Sequence, residues 1–174
     1  EDGVEQPSAI DDFVTQAESH IADADLVEIA QVQAEVLGAD GVIKQIGSLS
    51  LPLPLFNVYL SEAEGWSYRL LDALSAWSEN LEEAQPEMVN AWAHSLAGSS
   101  ATVGFMVLSD LARKLEHALL HVAPQPRGIA QQVRCFVHAV QDIRSMLHQF
   151  AAGVLPSGNS DVLAQLQSIL DQDV

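Results

Sequence analysis

The sequence predicts an all-α protein, an up-down-up-down four-helix bundle carrying an acidic, mainly helical N-terminal extension. Three observations predict it. Four runs of apolar residues between Leu55 and Phe150 recur at three- and four-residue spacing, the period of a helix with one buried face. Short breaks rich in Pro and Gly separate the runs, so consecutive helices must double back on one another. Hydrophobic residues make up 48% of the chain, enough to fill a core between four helices.

Residues 1–51 form the extension. From Glu1 to Ile43 there are 11 acidic residues and no lysine or arginine, a pattern that reads as solvated surface. Ser8 or Asp11 caps a short helix through about Ala22, with Ile10, Phe13, Val14, Ala17 and Ile21 on one face. Asp25 caps a second, in which Leu26, Ile29, Val32 (or Gln33) and Val36 follow helical spacing and Gly38 supplies the stop. Leu49 and Leu51 alternate with serines, which suggests a short extended piece. Two short helices bury little alone. The extension is therefore expected to lean on the following domain or to belong to a preceding one.

Pro52 and Pro54 open the bundle, residues 52–153. Its first helix reads Leu55, Tyr59, Ala63, Trp66, Leu70, Ala73, Trp77, Leu81. Pro86 suits the first turn of the second helix, which runs from Met88 to Val103. The third reads Phe105, Leu108, Leu111, Leu115, Ala118, Leu119, Val122 and ends at Pro124-Gln-Pro126-Arg-Gly128. The fourth reads Ile129, Val133, Phe136, Val140, Ile143, Leu147, Phe150. Residues 154–174 are a linker followed by a short C-terminal helix over 161–171, or the start of a further module.

Charge and composition exclude several functions. There are 24 acidic residues against 7 basic ones, a net charge of −17. Nucleic acid and anionic membrane surfaces need clustered cations, so neither is expected as a partner. The single cysteine, Cys135, rules out an internal disulfide and a cysteine metal cluster. No run of about 18 apolar residues and no signal pattern is present, so no membrane insertion by this segment and a cytoplasmic location are expected. The opening Glu1-Asp-Gly-Val-Glu-Gln-Pro7, without a start methionine, reads as an interior slice of a longer chain.

The second helix carries the chemistry. At about 100° per residue, Val89, Trp92, Ala93, Leu96, Ser99, Ser100 and Val103 fall on one buried face. His94 lies roughly 160° from it and points at solvent. Asn90, Ala91, Ala97, Gly98 and Ala101 surround it on the outer face. A lone imidazole among such small residues leaves room for another protein to bring a reactive group to it.

His94-Ser95-Leu96-Ala97-Gly98-Ser99-Ser100, then Gly104, Leu108, Leu111 and Leu115-Glu116, resembles the histidine phosphotransfer (HPt) family, whose pattern is His-x-Leu-Lys-Gly-Ser-Ser followed by a glycine and leucines ending in Leu-Glu. The resemblance covers roughly residues 53–152. It is most similar to the HPt units strung along CheA-like hybrid sensor histidine kinases of type IV pilus chemosensory systems. It implies a phosphoryl carrier in a two-component phosphorelay, with His94 as the phosphoryl acceptor. It further implies docking on Gly98, Ala97, Ala91, Ala101 and Asn90, and a response-regulator receiver domain or a histidine kinase catalytic domain as partner. No cofactor is bound by the HPt unit itself, since Mg²⁺ belongs to the partner. One departure stands out: Ala97 replaces the family's lysine, which would sit beside the phosphoryl group. Arg113 and Lys114, at the matching height of an antiparallel third helix, are the candidates to compensate that charge.

Neutral imidazole is a good nucleophile at cytoplasmic pH, and phosphoryl transfer depends mainly on in-line positioning and charge neutralisation. Other residues carry weaker signals. His117 and His121 have i, i+4 metal spacing, but no Glu-x-x-His pair supports them and they read as solvated. His20, His138 and His148 are isolated. Ser99 and Ser100 face inward and bond backbone rather than forming a hydrolase nucleophile. Trp66, Trp77 and Trp92 read as packing, and Cys135 as a partly buried, inert thiol. The competing readings are a degenerate HPt used for docking or spacing, and a metal-dependent enzyme in a helical bundle.

Overall fold

The structure, a computed structural model, describes residues 41–173. The two helices expected before Gly38, and His20 with them, lie outside the described residues. A hairpin of β1 (Ile43–Ile46) and β2 (Leu49–Pro52) leads into five helices: α1 (Leu53–Glu79), α2 (Val89–Thr102), α3 (Met106–Val122), α4 (Ala130–Ala151) and α5 (Ser160–Leu170). Helices α1 to α4 form the bundle, with α1 packed on α2 and α4, and α3 packed on α2 and α4. Helix α5 lies across α3 and α4 and buries Val162, Leu166 and Ile169.

Each helix forms where its apolar spacing demands. Along α1, Leu55, Tyr59, Ala63, Trp66, Leu70 and Trp77 are buried. Pro54 falls in its first turn, where a missing N–H costs nothing. Pro86 does not open α2 as expected. It lies in the preceding loop, and α2 begins at Val89. That loop is held from two sides. Trp77 Nε1 donates to the Glu83 carbonyl at 3.0 Å, and Gly128 N to the Leu81 carbonyl at 2.7 Å.

Two helices end in the same motif. Gly104 has φ +81° and donates to the Ala101 carbonyl, while Phe105 N donates to the Ser100 carbonyl. Gly153 has φ +83° and donates to Phe150, while Val154 N donates to Gln149. A left-handed residue that closes these two bonds satisfies carbonyls the helix would leave open.

The hairpin closes this end of the bundle. The sequence indicated only one extended piece at Leu49–Leu51; the partner strand β1 is a finding of the structure, paired antiparallel with Lys44 opposite Leu51. Gly47, φ +54°, takes the first turn position, where two-residue hairpin loops favour glycine. Its N–H donates to the Gly153 carbonyl at 3.1 Å. Beneath the hairpin Phe150 stacks on Phe105 (4.5 Å between ring centroids) and on Phe56 (5.7 Å), with Tyr59 edge-on at 5.5 Å.

Two glycines should respond oppositely to alanine. At Gly104 a β-carbon would adopt a left-handed φ and lie 3.3 Å from Leu49 Cδ2. Gly104→Ala should lower stability by about 1–2 kcal/mol. Gly65, inside α1, has open space around it, so Gly65→Ala should raise stability by about 0.5–1 kcal/mol. Urea titration of both variants checks the pair, and wild-type stability of Gly104→Ala would show that the turn does not need its glycine.

Candidate functional site

Helix α2 is gripped from two sides. Toward α1, the buried Tyr59 hydroxyl and Ser100 Oγ share a hydrogen bond of 2.8 Å. Burial pushes the Tyr59 hydroxyl well above its ordinary range, with the Ser100 bond pulling the other way. Toward α3, Ser109 Oγ donates to the Ala97 carbonyl at 2.7 Å. Ser99 Oγ turns back on the Ser95 carbonyl at 2.7 Å. The buried hydroxyls of Ser99, Ser100 and Ser109 thus each have a hydrogen-bond partner, as burial requires.

What remains outward is a narrow strip. His94 sits in the middle of it, its side chain 51% exposed. Asn90, Ala91, Gly98 and Ala101 are half-buried around it. Val89, Ala93, Leu96, Ser99, Ser100 and Val103 are buried as the periodicity predicts, and Trp92 is partly so.

Ala97 departs from the expectation. It does not belong to the outer face: it is 1% exposed. A single-face reading of α2 misplaces it, because α2 packs against α3 as well as α1 and the second contact buries the flank that holds Ala97.

His94 has a partner the sequence did not assign. Its Nδ1 lies 2.8 Å from Glu116 Oε1 on α3, and the Glu116 side chain is only 14% exposed. An ionised carboxylate offers only lone pairs, so Nδ1 donates and the neutral ring keeps its lone pair on Nε2. The signal was present in Leu115-Glu116, the end of the leucine run, but nothing in spacing alone ties it to His94. Among the described residues Nε2 forms no hydrogen bond.

The height match that put Arg113 and Lys114 level with His94 is off by two to three residues. Glu116, not residue 113 or 114, meets His94. Side chains on a helix lean toward its N-terminus, so a long side chain covers the turn before its own Cα. Lys114 lies about 160° round α3 from Glu116, where its Nζ donates to Gln167 Oε1 of α5 at 2.6 Å. That geometry removes it from the His94 side. Arg113 is exposed and about 60° from Glu116.

The remaining sequence candidates are dispersed. His117, His138 and His148 are exposed, and His121 Nε2 contacts the Gln172 carbonyl at 2.8 Å. Trp66 and Trp77 are buried in the core. Cys135 is buried, which raises its thiol above the ordinary range. Among the described residues no three His, Cys, Asp or Glu side chains are grouped to hold a metal ion. Nor is any described helix long and apolar enough to cross a membrane.

The sequence model of the Hpt domain family matches residues 57–153, more than half of the chain. Comparison with curated proteins and with solved structures returns no match.

The His94–Glu116 contact makes a spectroscopic prediction. Long-range ¹H–¹⁵N correlation of the neutral ring should place the hydrogen on Nδ1. In Glu116→Ala that preference should be lost, and the Nε2–H form should grow. An unchanged tautomer in the variant would mean that Glu116 does not set it.

Proposed function

The chain belongs to the Hpt domain family, and we propose that within it His94 is the residue that takes and gives the phosphoryl group. Hpt domains perform histidine phosphotransfer in two-component phosphorelays, with response regulators and kinases as partners. The observation that carries the assignment is the exposed His94 ring with Nδ1 held by Glu116 and Nε2 free of protein partners among the described residues.

In the proposed reaction a receiver docks over the strip formed by Asn90, Ala91, Gly98 and Ala101 and presents an aspartyl phosphate. The Nε2 lone pair attacks phosphorus in line. The N–P bond forms as the P–O bond to the aspartyl carboxylate breaks, and that carboxylate leaves as an anion. Nδ1 keeps its hydrogen, and the positive charge arising on the ring is stabilised by Glu116. The reverse step returns the phosphoryl group to a receiver. Transfer from ATP on a kinase domain follows the same attack, with ADP leaving. Mg²⁺ and the cations that offset the phosphoryl charge belong to the partner in this scheme, because an HPt surface positions rather than polarises.

The pattern from His94 to Glu116 supports placing this module in a larger chemotaxis-type sensor histidine kinase acting in the cytoplasm. One observation favours a second reading. Ala97 stands where the family carries lysine, and a docking or spacer module would have no need of that cation.

Phosphoramidate, a small donor that needs no docking partner, and phosphorylated receivers together test the assignment. Wild type should gain one acid-labile phosphoryl group from both. His94→Gln should gain none while stability stays within about 0.5 kcal/mol, as for an exposed residue. Gly98→Trp should still react with phosphoramidate but lose transfer from receivers, since the indole blocks the docking strip. Equal uptake by His94→Gln would move the site elsewhere. A wild type that binds receivers yet takes no phosphoryl group from either donor would establish the docking reading.

A further inference from the structure

We propose that the groove between α3 and α5 is a docking surface for this chain's own acidic leading segment, residues 1–40. The groove encloses about 530 Å³, with Arg113, Lys114 and His117 on the α3 wall and Leu163, Ala164 and Gln167 on the α5 wall. Asp110 also lines it. Helix α5 lies beyond the part of the chain that the family pattern covers, so the groove is a feature of this chain rather than of the shared bundle.

Charge selects the occupant. Arg113 and Lys114 are adjacent, and neither forms an ion pair with a carboxylate among the described residues. The chain carries 24 acidic residues and only 7 basic ones, and Arg113 and Lys114 are the only two basic residues that are neighbours in sequence. The first 40 residues hold 11 of those acidic residues and no lysine or arginine. Attraction between such a segment and the groove is long-ranged at low salt and strengthens where the groove walls exclude water.

Apolar chemistry matches as well. Leu163 is half-buried, packed against the core with part of its surface open to the groove. Ile10, Phe13, Val14 and Ile21 are interleaved with Asp11, Asp12 and Glu18, so one segment offers both carboxylates for the cations and side chains for Leu163 and Ala164. The described chain begins at the correct end. Val42 is bonded to Leu53 at the start of α1. The same hairpin packs Leu49 on Gly104, just before α3, and Gly47 on Leu155, just before α5. Each residue of chain spans up to about 3.3–3.6 Å, so 40 residues reach any point of the groove.

A consequence follows that rests on the His94 reading. Arg113 is the exposed cation nearest the Glu116 side of α3. A docked acidic segment would occupy Arg113 and place carboxylates beside the face that receives a phosphoryl group, so its release and partner docking are coupled.

Paramagnetic broadening in the full chain tests the docking without any phosphoryl chemistry, so its failure and that of the His94 assignment are separate. A nitroxide is attached at Ala17→Cys in a Cys135→Ala background. Amides of Arg113–His117 and Leu163–Gln167 should lose intensity. The loss should be independent of protein concentration. It should vanish at about 1 M salt, where the screening length falls to about 3 Å. It should also vanish in Arg113→Glu/Lys114→Glu, whose remaining amide spectrum reports that the bundle is intact. No broadening, broadening centred on another surface, or broadening that scales with concentration would each overturn the proposal.

Discussion

The close approach of α2 and α3 governs the rest of the site. Ala97 and Ser109 face each other across that seam, and the Ser109 hydroxyl donates to the Ala97 carbonyl. A small side chain on one wall and a hydrogen bond from the other let the two backbones draw together. Gly104 makes the approach possible at its lower end, because its left-handed φ turns the chain within one residue of α2. Phe105 then enters the core against Phe150. With the seam this tight, the Glu116 carboxylate of α3 reaches the His94 ring of α2.

The inward serines serve the same end. Hydroxyls at Ser99, Ser100 and Ser109 are buried, yet each has a bond to accept or donate. An unpaired buried hydroxyl would cost about 1–3 kcal/mol, so these contacts hold α2 at a fixed rotation as well as a fixed distance. That rotation leaves the strip from Asn90 through His94 to Ala101 outward, with Thr102 exposed at the helix end. A helix buried on one side would show half its surface; α2, buried toward two neighbours, shows less.

The bundle was legible in the sequence because its signal is local. Leu55 to Trp77, Leu108 to Val122 and Val133 to Phe150 repeat at helical spacing, and each run is bounded by Pro or Gly. The exposure of His94 was legible for the same reason. The inward place of Ala97 was not, since one helical wheel knows one buried direction and the second neighbour enters only through tertiary packing. The Glu116 contact spans 22 residues and depends on how long side chains lean along two antiparallel helices. Strand β1 was missed because Ile43-Lys-Gln-Ile46 buries just one residue, Ile46, and so leaves almost no alternation to read.

Ala97 and Glu116 act in one electrostatic direction in the proposed reaction. A phosphoryl group adds roughly −1.5 to −2 charges to a chain already at −17. Position 97 supplies no cation to the phosphoryl oxygens: Ala97 is 1% exposed, and its carbonyl accepts from Ser109 of α3. Glu116, by accepting from Nδ1, favours the ring that carries hydrogen on one nitrogen and phosphorus on the other. That ring is positively charged, and its N–P bond is the weaker for it, because breaking the bond restores a neutral imidazole. In that reaction Glu116 braces Nδ1–H and, among the described residues, no lysine or arginine contacts His94, an arrangement suited to handing the group on. Such an arrangement leaves charge neutralisation to the docked partner, so the phosphorylated state is least costly while that partner is present.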